Sequence, residues 1–600
     1  MHPKELAHLQ WKGPPAYNVP ALRAAVVEPV FARSSGVAAI GVHAAAMALV
    51  FAGLGCGKAN STRPRSLFTD VTEASGIRSA QNPSADLWPD GQYRLSEITT
   101  GGVALLDADG DQDLDIYLVC HPPPGSPESP APNRFFRQTG PLQFVEIAGA
   151  CGLGDPGHGN SAAVGDADND GDVDVYVANL GADAFYSNQG DGTFKDATAQ
   201  AGLHDTDWSS AAAFFDFDRD GDLDLYVVHY VVEDPSRVCR IGLAERQDYC
   251  GPSRYQSVPD RLWRNDGNAR FLDVSRAAGI TQARAGLGVV CIDLTGDGWP
   301  DIYVANDKNP NTLHVNQRNG TFRDEALERG AALSGSGEAE ASMGVGVGDV
   351  NGDSLLDLLV TNLLDETSTL YLATPRGAFE DRSAACGLGG PTLRSTSWGC
   401  GFVDLDLDGN LDLPIVNGRI ERAAADPRAK LSPFWNDYAL ANQLFLGSGS
   451  GKFREATGEA GSFGSEPDLG RALAFGDLDA DGDVDLVTCT LANRLRVFRN
   501  DSPAPGAHWL RVRALSGKRD ALGAIIRLDA GGTRQARTVL ATYSFGASSE
   551  PVAHFGLGSI SRIDSIEVLW PSGRVEKLKV DGVDRLVILR EGEGIPPAAR

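Results

Sequence analysis

Seven times along the chain an aspartate-dense nonapeptide recurs, with side-chain oxygens at positions 1, 3, 5 and 9. The first carries Asp107, Asp109, Asp111 and Asp115; the second carries Asp166, Asp168, Asp170 and Asp174. The third carries Asp216, Asp218, Asp220 and Asp224. Position 3 changes in the fourth (Asp293, Thr295, Asp297, Asp301) and in the fifth (Asp349, Asn351, Asp353, Asp357). The sixth has Asp404, Asp406, Asp408 and Asp412, the seventh Asp477, Asp479, Asp481 and Asp485. Such oxygens, joined by the position-7 carbonyl, converge on one point and suit a hard cation. Ca²⁺ accepts about six to eight oxygens, whereas Mg²⁺ gives up its water reluctantly. An EF-hand begins in the same way but needs a carboxylate at position 12. Here that position is Val177, Val227, Ile415 or Thr488. The spacing therefore predicts up to seven structural Ca²⁺ ions and no catalytic centre.

The seven loops are unequal. The second, third, sixth and seventh combine four carboxylates with a glycine at position 6, where a tight turn needs positive φ. Gln112 replaces that glycine in the first loop and Ser354 in the fifth. With Thr295 and Asn351 at position 3, the first, fourth and fifth loops are expected to bind weakest.

Strands must hold these loops. A short run of small apolar residues precedes each nonapeptide, as at 211–215, and an alternating run follows, as at 173–177 and 223–227. A period of two marks half-buried strands, so each nonapeptide is the tip of an antiparallel hairpin. A third strand follows, as at 261–265, then a glycine turn such as 188–192 and a fourth strand such as 194–198. A Phe-x-acid signature marks the fourth strands at Phe68, Phe144, Phe194, Phe271, Phe322, Phe379 and Phe453. One precedes the first tip and none follows the last, so the N-terminal strand should complete the last unit and leave no bare edge. Four strands in each of seven units predict an all-β fold: a seven-bladed β-propeller over 61–502. A small all-β, sandwich-like domain is expected over 503–595.

The formal charge of −27 sits largely in these tips and excludes nucleic acid as a partner, since no basic face offsets it. Residues 36–55 form an uncharged apolar run after Arg33, within a leader over 1–60. Residues 52–56 resemble a bacterial lipobox, although Gly53 stands where leucine is usual. Lipidation of Cys56, simple secretion and a retained anchor all remain open. Nine cysteines include no C-x-x-C pair. In an exported protein Cys239 and Cys250, which flank a short polar segment, are expected to form a disulfide. The other mature cysteines read as small buried hydrophobes.

The Asp-tipped hairpins resemble the FG-GAP/VCBS repeats of integrin-type and bacterial surface proteins. The tail resembles the ASPIC and UnbV domain of cartilage-acidic-protein-like families, through residues 508–510, 517–524, 535–537, 554–558 and 570–573. The resemblance implies calcium binding and an extracellular adhesion or matrix role, with no shared catalytic activity. The function expected is thus that of an exported binding protein whose partner is an extracellular protein or glycan. Membrane contact would come only through an N-terminal lipid. Long insertions share the face opposite the tips, with His229, Tyr230, Arg419 and Trp435 as candidate contacts. Trp208, Trp398 and Trp435 keep glycan stacking open. The alternative is a calcium-dependent polysaccharide lyase or hydrolase using His229, Tyr230 and Arg94.

Overall fold

Alternation after each tip places one set of side chains on either face of a strand, and every hairpin pairs as that pattern requires. In the computed structural model, which describes residues 66–78, 93–99, 101–122, 131–241, 246–491 and 493–597, Gly159–Gly165 pairs antiparallel with Asp174–Asn179. Ala184–Asn188 and Phe194–Asp196 continue the sheet. Among the described residues seven sheets repeat this four-strand meander. The last of them takes its fourth strand from the other end of the chain. Phe68–Asp70 pairs with Leu495–Asn500 in the register Phe68↔Asn500, Thr69↔Arg499 and Asp70↔Phe498.

The expected propeller must be corrected. Backbone pairing stops at the edges of each sheet, and no sheet is closed into a propeller or barrel. The chain is instead a mostly antiparallel assembly of separate sheets with several short helices. The first strands of successive sheets pack close to one another, and Gly470–Gly476 also packs on Gly102–Leu106. Small residues make the approach possible: a Cβ added to Gly288 would fall on the Met343 carbonyl of the next sheet. The terminal strand removes one bare edge, that of Leu495–Asn500, and closes nothing further.

The tail contributes two four-stranded sheets. His508–Ser516 pairs with Arg519–Asp520, with Ala553–Gly558 and, in parallel, with Arg585–Arg590. The second sheet runs Thr533–Thr538, Ile525–Ala530, Ser565–Leu569, Val575–Leu578. Leu510, Val512, Ile526, Phe555, Val568 and Trp570 share one buried cluster, each large side chain worth roughly 1.5–3 kcal/mol. Ala547–Ser548 leaves these sheets and pairs in parallel with Gly102–Leu106, through Val103↔Ala547 and Ala104↔Ser548.

Candidate metal-binding tips

The aspartates at positions 1 and 9 of every nonapeptide tie the hairpin together. At position 9 of the third tip, Asp224 accepts the Phe217 N–H at 2.9 Å on one oxygen and the Asn265 N–H at 2.9 Å on the other. Asp174, Asp301 and Asp485 repeat that double bond with their own second-position and third-strand amides. So do Asp115, Asp357 and Asp412. At position 1, each aspartate accepts the N–H of position 6, from Asp293 with Gly298 at 2.7 Å to Asp216 with Gly221 at 3.2 Å. The bond survives loss of the glycine. Gln112 (φ 73°) and Ser354 (φ 67°) adopt the left-handed conformation at that place and donate to Asp107 and Asp349. Position 4 is left-handed too, and these two loops place glycines there, Gly110 and Gly352. That exchange of glycines between positions 4 and 6 was visible in the sequence and went unread.

The remaining oxygens point inward. Ligand oxygens of Asp166, Asp168 and Asp174 lie within 4.8 Å of one another, as do those of Asp216, Asp218 and Asp224, of Asp404, Asp406 and Asp412, and of Asp107, Asp109 and Asp111. Buried Oδ1 atoms of Asp216, Asp218, Asp404 and Asp479 have no hydrogen-bond partner. Burial, then repulsion from Asp408 and Asp406 against the pull of Arg537, raises Asp404 to about 7. Burial raises Asp174 to about 8 and, with four neighbouring aspartates, Asp483 to about 10. Charges held this close and this dry require a counter-charge. The donor set fits a hard divalent cation, and in the second, third and sixth tips it is positions 1, 3 and 9 whose oxygens come together. In the fourth tip Arg318 already lies 2.9 Å from Asp297, as Arg137 lies 3.4 Å from Asp109 in the first, and each supplies part of the compensation.

The predicted contact residues need a second correction, because most are inside. His229 is buried, with Nε2 3.1 Å from Asp205 and Nδ1 2.8 Å from the Pro259 carbonyl. Burial would lower its pKa, but the Asp205 bond and charge outweigh burial and raise it. Tyr230 donates to Asp307 at 2.7 Å, and Trp208 meets it edge-on. Trp435 lies buried beside Phe434 and Tyr438, and Trp398 is covered by the Arg471 guanidinium at 4.1 Å. Arg419 is half-buried and bonds the Ala424 and Asp437 carbonyls. Arg94 pairs with Glu97, so the three groups imagined for catalysis serve three different partners. The physical reason is shared: the insertions carry enough aromatic surface to form their own core. Cys239 and Cys250 are joined as a disulfide with Cα atoms 5.2 Å apart, and six other cysteines are free and buried. Cys56 lies outside the described residues.

Residues 514–596 match the ASPIC and UnbV family. Residues 107–177, 166–227, 248–304, 293–360 and 349–413 match the FG-GAP-like repeat. The chain carries FG-GAP repeats and a C-terminal ASPIC and UnbV domain, and in both it matches the cartilage-acidic-protein-like family. Cartilage acidic protein 1 of Mus musculus is 27% identical over 364 residues, which is 56% of this chain and 51% of that protein. The Homo sapiens protein is 27% identical over 364 residues, covering 56% and 50%. The chain thus spans about half the length of the curated relatives it matches. Among solved structures, an Agrocybe aegerita lectin that recognises non-reducing terminal N-acetylglucosamine has 15% identity and a TM-score of 0.36, covering 64% of this chain and 88% of that one. A likeness that slight says nothing about fold or ligand.

The ASPIC and UnbV domain sits on the FG-GAP tips. Arg511 Nη1 lies 2.7 Å from Asp477 Oδ2 and its other nitrogen pairs with Glu550. Arg519 Nη2 lies 3.4 Å from Asp216 Oδ2 and 3.1 Å from the Gly221 carbonyl. Arg537 donates to the Gly409 carbonyl at 3.0 Å, and the Gly556 N–H donates to Asp404 Oδ2 at 3.0 Å. His554 Nε2 meets the Gly482 carbonyl at 2.9 Å, and Lys518 the Asp170 carbonyl at 2.8 Å. Sequence reasoning could find the segments that carry the family resemblance, and Arg519, Arg537 and His554 all lie in them. It had no means of seeing partners more than 70 positions away in the chain.

Proposed function

We propose that this is an exported, non-catalytic calcium-binding protein that contacts an extracellular protein or glycan. The observation that carries the reading is the set of buried, partnerless aspartate oxygens converging in the tips. Up to seven Ca²⁺ ions are proposed, bound most tightly by the second, third, sixth and seventh tips. The repeats extend over 61–502 and the ASPIC and UnbV domain over 503–595. Export by the leader, with or without a lipid on Cys56, belongs to the same reading, and mass spectrometry of the mature N-terminus separates the two cases. The insertion-bearing side is the proposed partner surface, with Arg419 the one of the four named contacts that reaches solvent. An array of glycans and matrix proteins, probed with the mature chain in calcium and in chelator, tests the reading. Calcium-dependent binding without turnover supports it; cleavage of a polysaccharide would overturn it.

A further inference from the structure

The ASPIC and UnbV domain does not bond the tips evenly. Its contacts fall on the second, third, sixth and seventh, through Lys518, Arg519, Arg537 with Gly556, and Arg511 with His554. Those are the four tips that combine four carboxylates with the position-6 glycine. Among the described residues no hydrogen bond runs from the domain to the first, fourth or fifth tip. Completeness for a cation and contact with the domain therefore coincide, although neither requires the other.

Atom by atom, the two demands use different oxygens. Asp404 Oδ2 accepts the Gly409 N–H at 2.9 Å and the domain's Gly556 N–H at 3.0 Å, while its buried Oδ1 has no partner. Asp216 divides in the same way, with Oδ2 on Gly221 and Arg519 and Oδ1 partnerless. The domain thus holds one oxygen of each carboxylate and leaves the other facing the cradle. Arg511 likewise takes Oδ2 of Asp477, and further contacts go to the backbone carbonyls of Asp170, Gly221, Leu407, Gly409 and Gly482, which are in place only while the loop is closed. Without a cation, carboxylates at positions 1, 3, 5 and 9 repel and open that loop. The segment around residues 544–549 adds consequence to docking. Ser544 bonds Val345 and Cys400, Gly546 bonds Val103, Ser548 bonds Ala162 and Ser549 bonds Phe475, so one loop ties five sheets together.

We propose that this face of the ASPIC and UnbV domain is a recognition surface for cation-filled tips, coupling calcium in the second, third, sixth and seventh tips to docking of the domain. The inference rests on the calcium reading above. Coupling is reciprocal, so weakening the dock must weaken calcium at those tips. The rival arrangement gives the opposite sign: if the arginines merely substitute for a cation, removing one tightens calcium.

The experiment uses the full mature chain and calcium alone as ligand, read by calorimetric titration and by amide hydrogen exchange. Chelation should speed exchange in residues 535–558 by roughly tenfold or more, a comparison that needs no variant. His554→Ala removes a contact that carries no charge, because burial holds the imidazole pKa down at about 4. That variant should weaken calcium at the seventh tip roughly fivefold, and Arg519→Gln should do the same at the third. Arg527→Gln, which breaks a pair with Glu567 inside the domain, should change neither. Equal exchange with and without calcium, or calcium affinity that holds or rises in His554→Ala and Arg519→Gln, overturns the inference. A wild-type chain that binds no calcium overturns the underlying reading instead.

Discussion

The third and fourth tips share a skeleton and differ in surplus. In both, the position-1 aspartate closes the turn onto position 6 and the position-9 aspartate pins two amides. The third then adds Asp218, whose buried Oδ1 has no partner, and bonds Arg519 of the tail. The fourth has Thr295 in place of that carboxylate, and Arg318 beside Asp297. Hairpin and cation site are thus separable at position 3: positions 1, 5 and 9 accept backbone amides in both tips, while Asp218 supplies charge that the hairpin does not need.

Four perturbations break or sharpen that separation. Chelation acts on every tip at once and should have the largest effect, lowering Tm by roughly 10 °C or more, with Mg²⁺ failing to restore it. A melt indifferent to chelator would mean that the surplus carboxylates hold no ion. Asp224→Asn places an amide where two N–H groups expect oxygens and should cost about 1–3 kcal/mol in urea unfolding, with or without calcium. Asp218→Asn should cost roughly 1–2 kcal/mol in calcium and close to nothing in chelator. If both variants lose stability equally in chelator, the division of roles is wrong. Least of all, Arg318→Gln should tighten calcium at the fourth tip by a small factor, since the pair is exposed and weak; unchanged binding would show that Arg318 does not compensate Asp297.

Hairpins, tips and the seventh sheet's borrowed strand were legible because each has a local signature. The aspartate spacing, the period of two and the repeated phenylalanines, Phe68 among them, all act over a few residues. What lay between sheets was not legible. A count of units does not say how one sheet meets the next, and here backbone pairing stops at the edges of each sheet, so the inferred closure failed. His229, Tyr230 and Trp435 looked like surface contacts because they lie in insertions, which usually run over surfaces. Their partners Asp205, Asp307 and Tyr438 make them interior instead, and nothing near them in the chain marks that pairing for His229 or Tyr230. The same distance hid the tail. Arg519 and Asp216 are 303 residues apart, and only the folded chain brings them together.

Direct counting of bound calcium tests the central claim most simply. The chelated mature chain, dialysed to equilibrium against radioactive calcium in excess Mg²⁺, should retain about four tightly held ions, one for each complete tip, with further ions at higher concentration. Loss of Asp218 should remove one of the four. A chain that leaves such dialysis with no calcium above the surrounding buffer would contradict the account.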